Sequence, residues 1–154
     1  MAQLSNISLS PPTARLESPG SLTESQIVLM DEAHYMNGPQ LQFFKARLMA
    51  VEEMLEARMR TSADEISAGV VEADPVDRAS AEEEHQMAIA SRARDLEQLA
   101  EVQAALARII AGDFGWCVET GEMIGIGRLL VCPTAFLCIE AQQRREAKKS
   151  RYRS

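Results

Sequence analysis

The apolar residues after position 38 recur at alternating spacings of three and four: Leu41, Phe44, Leu48, Val51 and Leu55. This narrow a/d seam is typical of a helix that packs along one partner helix. The seam then loses register, although Met59, Ile66 and Val70 continue it with polar or small residues between them. The pattern predicts a long helix that opens at Pro39.

A second run of apolar residues follows position 78, with Ala93 supporting it and Gln103 interrupting it: Ile89, Leu96, Leu99, Leu106 and Ile110. Each run covers about thirty residues, hence roughly 45–50 Å of helix. Two such helices with a short connector predict an antiparallel hairpin. The alternative is a pair of helices in a globular bundle, but so narrow an apolar stripe cannot line a wide hydrophobic core.

The N-terminal region contains Ser, Pro and Gly over residues 1–20, which predicts a flexible tail. Ser21 and Glu24 match a capping box, so a short helix is expected from there to about Tyr35. We expect Gly38 to end that helix in the left-handed conformation and Pro39 to open the next one.

The C-terminal region begins where Gly112 stops the second long helix. Residues 113–131 are Gly-rich and non-periodic, which predicts a compact knuckle of turns. We expect Pro133 and Thr134 to open a final helix over about 134–149, followed by a basic tail. The sequence thus predicts an all-α, mainly helical fold in three parts: a tail and short helix (1–33), a coiled-coil hairpin (34–111) and a small globular base (112–154).

The composition narrows the class of function. A formal net charge of −7 argues against a duplex-DNA binder held by phosphate neutralisation. No segment has the length and apolar character of a membrane span, and the N-terminus has no secretory pattern, so a cytoplasmic protein is expected. The chain shows no catalytic triad pattern, phosphate loop or zinc-protease motif, so we do not expect an enzyme.

The cysteines suggest half of a zinc site. Cys117 and Cys138 each have a neighbour three residues later, where a four-thiolate ribbon has Cys, but those neighbours are Thr120 and Ala141. A structural zinc site needs four ligands, so no bound metal is expected. The knuckle must then be held by packing of its dense apolar set: Phe114, Trp116, Ile124, Ile126, Leu129, Leu130, Phe136 and Leu137. No cation lies near either thiol in sequence, which favours buried, inert thiols over a redox sensor.

The connector between the long helices is acidic and occupies residues 72–79. Pro75 disfavours a helical Asp74, and Asp77 is placed to cap the helix that follows. These acids would also stand at the far end of a thin rod, a shape suited to a narrow opening lined by basic groups or near a bound metal. The residues alone leave capping and function open.

Several segments together resemble the DksA/TraR family of transcription factors. They are Tyr35-Met-Asn37, Asp74-Pro-Val-Asp-Arg-Ala79 with Glu82–Glu84, Gly112-Asp-Phe-Gly-Trp-Cys117, Gly121-Glu-Met-Ile-Gly125 and Pro133-Thr-Ala-Phe-Leu-Cys-Ile-Glu140. The resemblance runs from about 33 to 149. It implies a partner, RNA polymerase, whose secondary channel receives the hairpin. It also implies that Asp74, Asp77 and Ala79 at the tip act near the catalytic centre to destabilise open complexes at sensitive promoters such as ribosomal ones, as part of the stringent response.

Two departures refine what the resemblance implies. Thr120 and Ala141 match family members that fold without zinc. Where the family has basic residues facing the alarmone ppGpp, this chain has Glu101, Cys132 and Gln142, so synergy with ppGpp is doubtful. We therefore expect a monomer that binds no cofactor and no specific DNA sequence. The alternatives left open are a helical-hairpin adaptor and a thiol-based redox sensor using Cys117 and Cys138.

Overall fold

The computed structural model describes the backbone of residues 22–68 and 75–152, and the side chains of residues 22–64 and 80–152. These residues form α1 (Glu24–Val28), a short 3-10 helix (Glu32–His34), α2 (Gly38–Ala68), α3 (Pro75–Ala111), α4 (Ile126–Val131) and α5 (Ile139–Tyr152). An isolated bridge between Trp116 and Met123 is the only β-pairing within the described ranges. The prediction of a mainly helical fold is therefore confirmed.

The two long helices pack against each other in antiparallel directions. Gln103 on α3 donates to Glu52 on α2 (3.3 Å), and Asp95, earlier on α3, pairs with Arg58, later on α2 (3.1 Å). With 31 and 37 residues, α2 and α3 extend about 46 and 55 Å at 1.5 Å per residue. The predicted hairpin is confirmed, and no described helix is long and apolar enough to cross a membrane.

The seam predicted on α2 is confirmed, because Phe44, Leu48 and Leu55 are fully buried and Leu41 and Val51 pack against them.

The seam predicted on α3 was partly wrong. Leu99 and Leu106 pack against the core as expected, whereas Ile89, Leu96 and Ile110 are exposed, and Val102 and Ala105 are buried in their place. The true seam passes through polar side chains at Arg92 and Asp95, which an apolar pattern cannot mark.

The N-terminal segment departs from the prediction at both ends. Thr23, rather than Ser21, caps α1, and its reciprocal partner is Gln26; Ser21 lies outside the described residues. The helix ends at Val28 instead of reaching Tyr35, because Asp31 starts a separate 3-10 turn by accepting from the N–H of Ala33.

The predicted C-terminal glycine of that helix is instead the first residue of α2. Gly38 begins α2, and Met36 takes the left-handed conformation with φ of 55°. Asn37 accepts from the N–H of Gln40 through its side-chain oxygen (3.0 Å), which satisfies a backbone donor in the first turn of α2. Here an Asn side chain supplies the helix cap.

The base, residues 112–152, contains a helix that the sequence did not reveal and another that begins later than expected. The predicted knuckle extends only to Gly125, since Ile126–Val131 form α4. The last helix begins at Ile139 rather than at Thr134, because residues 132–135 form a turn in which the Ala135 N–H donates to the Cys132 carbonyl (3.0 Å). Short glycine-flanked segments such as α4 lack the length that makes helical periodicity visible.

One core joins the base to the root of the hairpin. Phe44 and Leu48 of α2 lie in the same buried cluster as Phe114, Leu129 and Leu137 of the base, and the rings of Phe44 and Phe114 are 5.5 Å apart. The hairpin is thus rooted by apolar packing at its end distant from the connector.

Candidate functional site

The far end of the hairpin carries the predicted acidic tip. Asp74 lies outside the described residues, as does the connector between α2 and α3. Asp77 and Ala79 lie in the first two turns of α3, which begins at Pro75. Asp77 is therefore the third residue of α3, and the interpretation of its side chain as a cap lies outside the described residues. Glu82, Glu83 and Glu84 follow on the same helix and are exposed.

Tyr35 fastens the N-terminal segment to the base. Its hydroxyl donates to the Gly115 carbonyl (2.7 Å) and accepts from the Gly125 N–H (3.1 Å), and its ring meets Trp116 edge-on with centroids 5.3 Å apart. Burial raises the pKa of Tyr35, while the N–H groups of Gly125 and Ile124 oppose that shift. Tyr35 thus ties together the two ends of the turn that contains Cys117 and Thr120.

The residues beside Tyr35 fit the base closely. A Cβ at Gly115 would lie 2.6 Å from Cγ of Met36, and Gly115 has φ of +89°, so only glycine is accommodated there. Gln40 is almost fully buried and accepts from the Met36 N–H through Oε1 (2.7 Å). The sequence offered Tyr35 and Met36 only as part of a motif, and gave no indication that they clamp a turn 80 residues later.

The four positions of the degenerate zinc finger come together in the base. The Thr120 hydroxyl lies 3.6 Å from Sγ of Cys138. Cys117 and Cys138 are buried, and Ala141 is fully buried in the same cluster. The Val118 N–H donates to the Phe136 carbonyl (3.0 Å), which joins the segment with Cys117 and Thr120 directly to the segment with Cys138.

The donor set at these positions does not match a four-ligand zinc site. It comprises two thiols and a threonine hydroxyl, and the fourth position presents a methyl group, which has no lone pair to give. Within the described residues, no cluster of three or more His, Cys, Asp or Glu side chains could hold a metal ion. Zinc chemistry therefore has no fitting site here.

Apolar packing fills the base as the sequence predicted, with two exceptions. Phe114, Ile124, Leu129 and Leu137 are buried, and Ile126 and Leu130 pack against them. Trp116 and Phe136 are partly exposed instead. Each of these two rings has a surface partner, since Trp116 meets Tyr35 and Phe136 lies under the guanidinium of Arg145 (5.5 Å).

The Cys117 thiol is more acidic than the sequence suggested. Burial raises its pKa, but hydrogen bonds from the Thr120 hydroxyl and from the N–H groups of Cys138, Thr120 and Glu119 lower it to about 6 from an ordinary 9. Charge-favouring hydrogen bonds, rather than a neighbouring cation, have this effect. The prediction of buried thiols is right for Cys117 and Cys138, whereas the argument from missing cations overlooked the backbone donors.

The three positions at which the resemblance implies basic residues elsewhere in the family line one groove. Glu101 of α3, Cys132 after α4 and Gln142 of α5 border a cavity of about 410 Å³, together with Arg128 and Lys149. Cys132 is exposed, and its sulfur lies 3.6 Å from the Thr134 hydroxyl. The structure thus brings together residues that are 41 positions apart in sequence.

The charges in this groove nearly balance. Arg145 also lines it but pairs with Glu119, and Gln142 donates to Glu146 (2.7 Å). Nε of Arg128 is buried and has no hydrogen-bond partner within the described residues. Two carboxylates beside three cations give a weaker positive field than a polyanionic phosphate requires.

A long two-helix hairpin rooted in a small base defines the fold class of this protein. The description "Prokaryotic dksA/traR C4-type zinc finger" matches residues 112–147, and "DnaK suppressor protein DksA, N-terminal domain" matches residues 40–109. The chain belongs to the DksA/TraR family.

Its relatives share most of their length with it. It is 34% identical over 124 residues to the RNA polymerase-binding transcription factor DksA of Caulobacter vibrioides, covering 80% of this chain and 87% of that one. It is 34% identical over 116 residues to the protein of the same name from Escherichia coli strain K12, covering 75% and 77%. The solved structure of transcription factor DksA2 from Pseudomonas aeruginosa matches with a TM-score of 0.75 and 38% identity, over 83% of this chain and 99% of that one.

Proposed function

We propose that this protein binds RNA polymerase and regulates transcription initiation by inserting its hairpin into the secondary channel. The observation that carries the proposal is the hairpin itself: two packed helices of 31 and 37 residues reach far beyond the base that anchors them. The named relatives are RNA polymerase-binding transcription factors, and the family match extends along both the hairpin and the base.

The tip acids are the part that acts. A rod one helix pair wide, about 20 Å across with side chains, fits a narrow channel in a way that a globular domain does not. In sequence, Asp74 directly precedes α3 and Asp77 belongs to its first turn, so we expect their carboxylates to meet basic groups or a bound metal of the polymerase. Such contacts would shift the stability of the open complex, most visibly at promoters whose open complexes are short-lived.

The test is transcription from a ribosomal promoter with purified polymerase and the Asp74→Asn, Asp77→Asn double variant. We expect the variant to bind polymerase nearly as well as the wild type and to lose the transcriptional effect. A matched control is Glu82→Gln with Glu84→Gln, which removes two exposed charges from the same helix. A double tip variant that represses as fully as the wild type would refute the tip role. A helical-hairpin adaptor, in contrast, predicts no dependence on the tip acids.

The base performs this role without zinc. Cys117, Thr120, Cys138 and Ala141 provide too few ligands, and the apolar cluster together with Tyr35 supplies the cohesion that a metal gives to a four-thiolate finger. Repression should therefore be the same before and after the protein is treated with a chelator. Loss of repression after chelation, restored by added zinc, would contradict a metal-free base.

Synergy with ppGpp through this protein is weak or absent. Glu101, Cys132 and Gln142 stand in the groove where cations would be needed to hold phosphates. The Glu101→Lys, Cys132→Arg, Gln142→Lys triple variant should gain a ppGpp response that the wild type lacks. Strong potentiation of the wild type by ppGpp at a ribosomal promoter would count against this proposal.

A second candidate function, a thiol sensor, is favoured by one arrangement: the Thr120 hydroxyl lies 3.6 Å from Sγ of Cys138, and hydrogen bonds lower the pKa of the nearby Cys117 thiol to about 6. Serine at both Cys117 and Cys138, assayed with and without peroxide, tests it, and the exposed Cys132→Ser serves as the control. A peroxide response that disappears only in the double variant would establish the sensor. Equal activity in all conditions would remove it.

A further inference from the structure

A layer of polar side chains interrupts the apolar seam halfway along the hairpin. On α3, Arg92, Asp95, Leu99 and Val102 follow one another at seam spacings of three and four residues. Asp95 is only 6% exposed, although Asp is almost never buried without a partner. The seam therefore carries a carboxyl side chain where the pattern of the rest of the hairpin would have Leu or Val.

These polar side chains connect α2 and α3 at two points. Nη1 of Arg58 on α2 binds Oδ1 of Asp95 on α3 (3.1 Å), and Nη1 of Arg92 on α3 donates to the Met59 carbonyl on α2 (3.1 Å). The Ser62 hydroxyl donates to the same carbonyl (3.1 Å). We call Arg58, Arg92 and Asp95, with the Met59 carbonyl, the polar clasp.

The described side chains between the polar clasp and the tip are at most half-buried. None of the described side chains at 60–64 and 80–94 is buried, and Met87 and Ile89 are exposed by 63% and 45%. Within the described residues, the fully buried side chains of the hairpin, such as Leu48, Leu55 and Val102, all lie on the base side of the clasp. The clasp is thus the last specific contact between the helices that the structure describes before the tip.

We propose that the polar clasp positions the tip, because it holds the two helices of the distal arm (59–64 and 80–94) together where none of the described side chains is buried. The role of the clasp in regulation rests on the proposed function of the tip. Polar contacts within a helical seam accept only one geometry and give less stability than apolar packing. The distal arm is therefore aligned by the clasp yet opens more readily than the root of the hairpin.

The partial exposure of Arg58 makes the clasp sensitive to salt. Its side chain is 51% exposed whereas the Asp95 side chain is 9% exposed, so ions reach one partner of the pair. Screening would weaken the clasp without weakening the apolar contacts nearer the base. A salt-dependent opening of the distal arm, with an unchanged base, would distinguish the clasp from a general structural role.

The test measures the distance between spin labels at Asp64 and Gln86, both exposed on the distal arm, attached through unnatural amino acids so that the cysteines stay intact. The full chain should give one narrow distance distribution at low salt and a broader one at high salt. Asp95→Ala should broaden the distribution at low salt and abolish its salt dependence, whereas Glu97→Ala, an exposed acid on the same helix, should behave as the wild type does.

Amide hydrogen exchange locates the change. In Asp95→Ala we expect exchange about tenfold faster in residues 80–94, with residues 112–141 unchanged. If Asp95→Ala fails to fold, Arg92→Met replaces it, since this variant keeps an aliphatic side chain and loses the guanidinium. Its amide exchange should also be faster in residues 80–94. Equal distance distributions in wild type and both variants, or exchange that rises equally in the base, would overturn the proposal.

Transcription then relates the clasp to the tip. At saturating protein, Asp95→Ala should repress less at its maximum than Glu97→Ala does. Full maximal repression by a variant with a broadened distal arm would refute the positioning role. If the wild type itself had no transcriptional effect, the proposed function would fail, while the distance measurement on the isolated protein would still decide whether the clasp holds the arm.

Discussion

The Tyr35 hydroxyl offers a direct test of how the base is held together. It donates to the Gly115 carbonyl and accepts from the Gly125 N–H, so Tyr35→Phe removes one oxygen atom and two hydrogen bonds. The ring remains to pack against Trp116. The change therefore isolates the polar part of the contact between the N-terminal segment and the base.

The expected loss follows from the partners left behind. A hydrogen bond contributes about 1 kcal/mol, and an unsatisfied buried partner costs about 1–3 kcal/mol. Because this contact is only partly buried, water can reach one of the two partners, and we expect a loss of about 2 kcal/mol in the free energy of unfolding. For a chain of this size, that corresponds to a melting temperature lower by about 6 °C.

Urea denaturation followed by tryptophan fluorescence measures this loss, because Trp116 is the only Trp in the chain and lies against Tyr35. Tyr152→Phe is the matched control, since Tyr152 is 94% exposed and its loss should leave the unfolding curve unchanged. A Tyr35→Phe variant as stable as Tyr152→Phe would refute the reasoning that this hydroxyl ties the turn together.

Three further predictions concern the hairpin, the metal and the thiol. Leu55→Ala should lower the free energy of unfolding by about 2–5 kcal/mol in urea denaturation, whereas the half-exposed neighbour Met54→Ala should change it by less than about 0.5 kcal/mol. Metal analysis of the purified protein should find well below one equivalent of zinc, and a chelator should leave the melting temperature unchanged; one tightly held equivalent would contradict this. The ultraviolet absorbance of the Cys117 thiolate should titrate near pH 6, and Cys117→Ser should abolish that step. Because folding lowers the pKa of Cys117 from 9 to about 6, ionisation of this thiol contributes its full stabilisation above pH 9. The contribution declines below pH 9 and is lost as the pH falls through 6. A free energy of unfolding that rises on acidification from pH 9 to 6 would contradict this reasoning.

Regular apolar periodicity was sufficient to predict the hairpin and the root of its core. Leu41, Phe44, Leu48, Val51 and Leu55 all face the core because nothing polar interrupts that face of α2.

The register of α3 could not be read in the same way. Arg92 and Asp95 occupy seam positions by pairing across the hairpin, and a partner on another helix is invisible in a linear pattern.

The family motifs indicated the candidate site, although not its contacts. The sequence marked Cys117, Thr120, Cys138 and Ala141 by their zinc-site spacing, and the structure brings these positions together in the base. The lowered pKa of Cys117 depends on backbone N–H groups, whose directions follow from the fold and not from residue type. The sequence also could not predict the helix boundaries in the base, because tertiary contacts determine the turns of three or four residues there.

The central claim is that the end of the hairpin enters the secondary channel of RNA polymerase. Site-specific photocrosslinking tests it most directly, with a photoreactive amino acid at Val76 beside the tip acids and, as a control, at the exposed Tyr152 of α5. The account predicts crosslinks from position 76 to the channel walls or the trigger loop, and none to those elements from position 152. Crosslinks from position 76 only to the outer surface of the polymerase, or to no part of it, would contradict the claim.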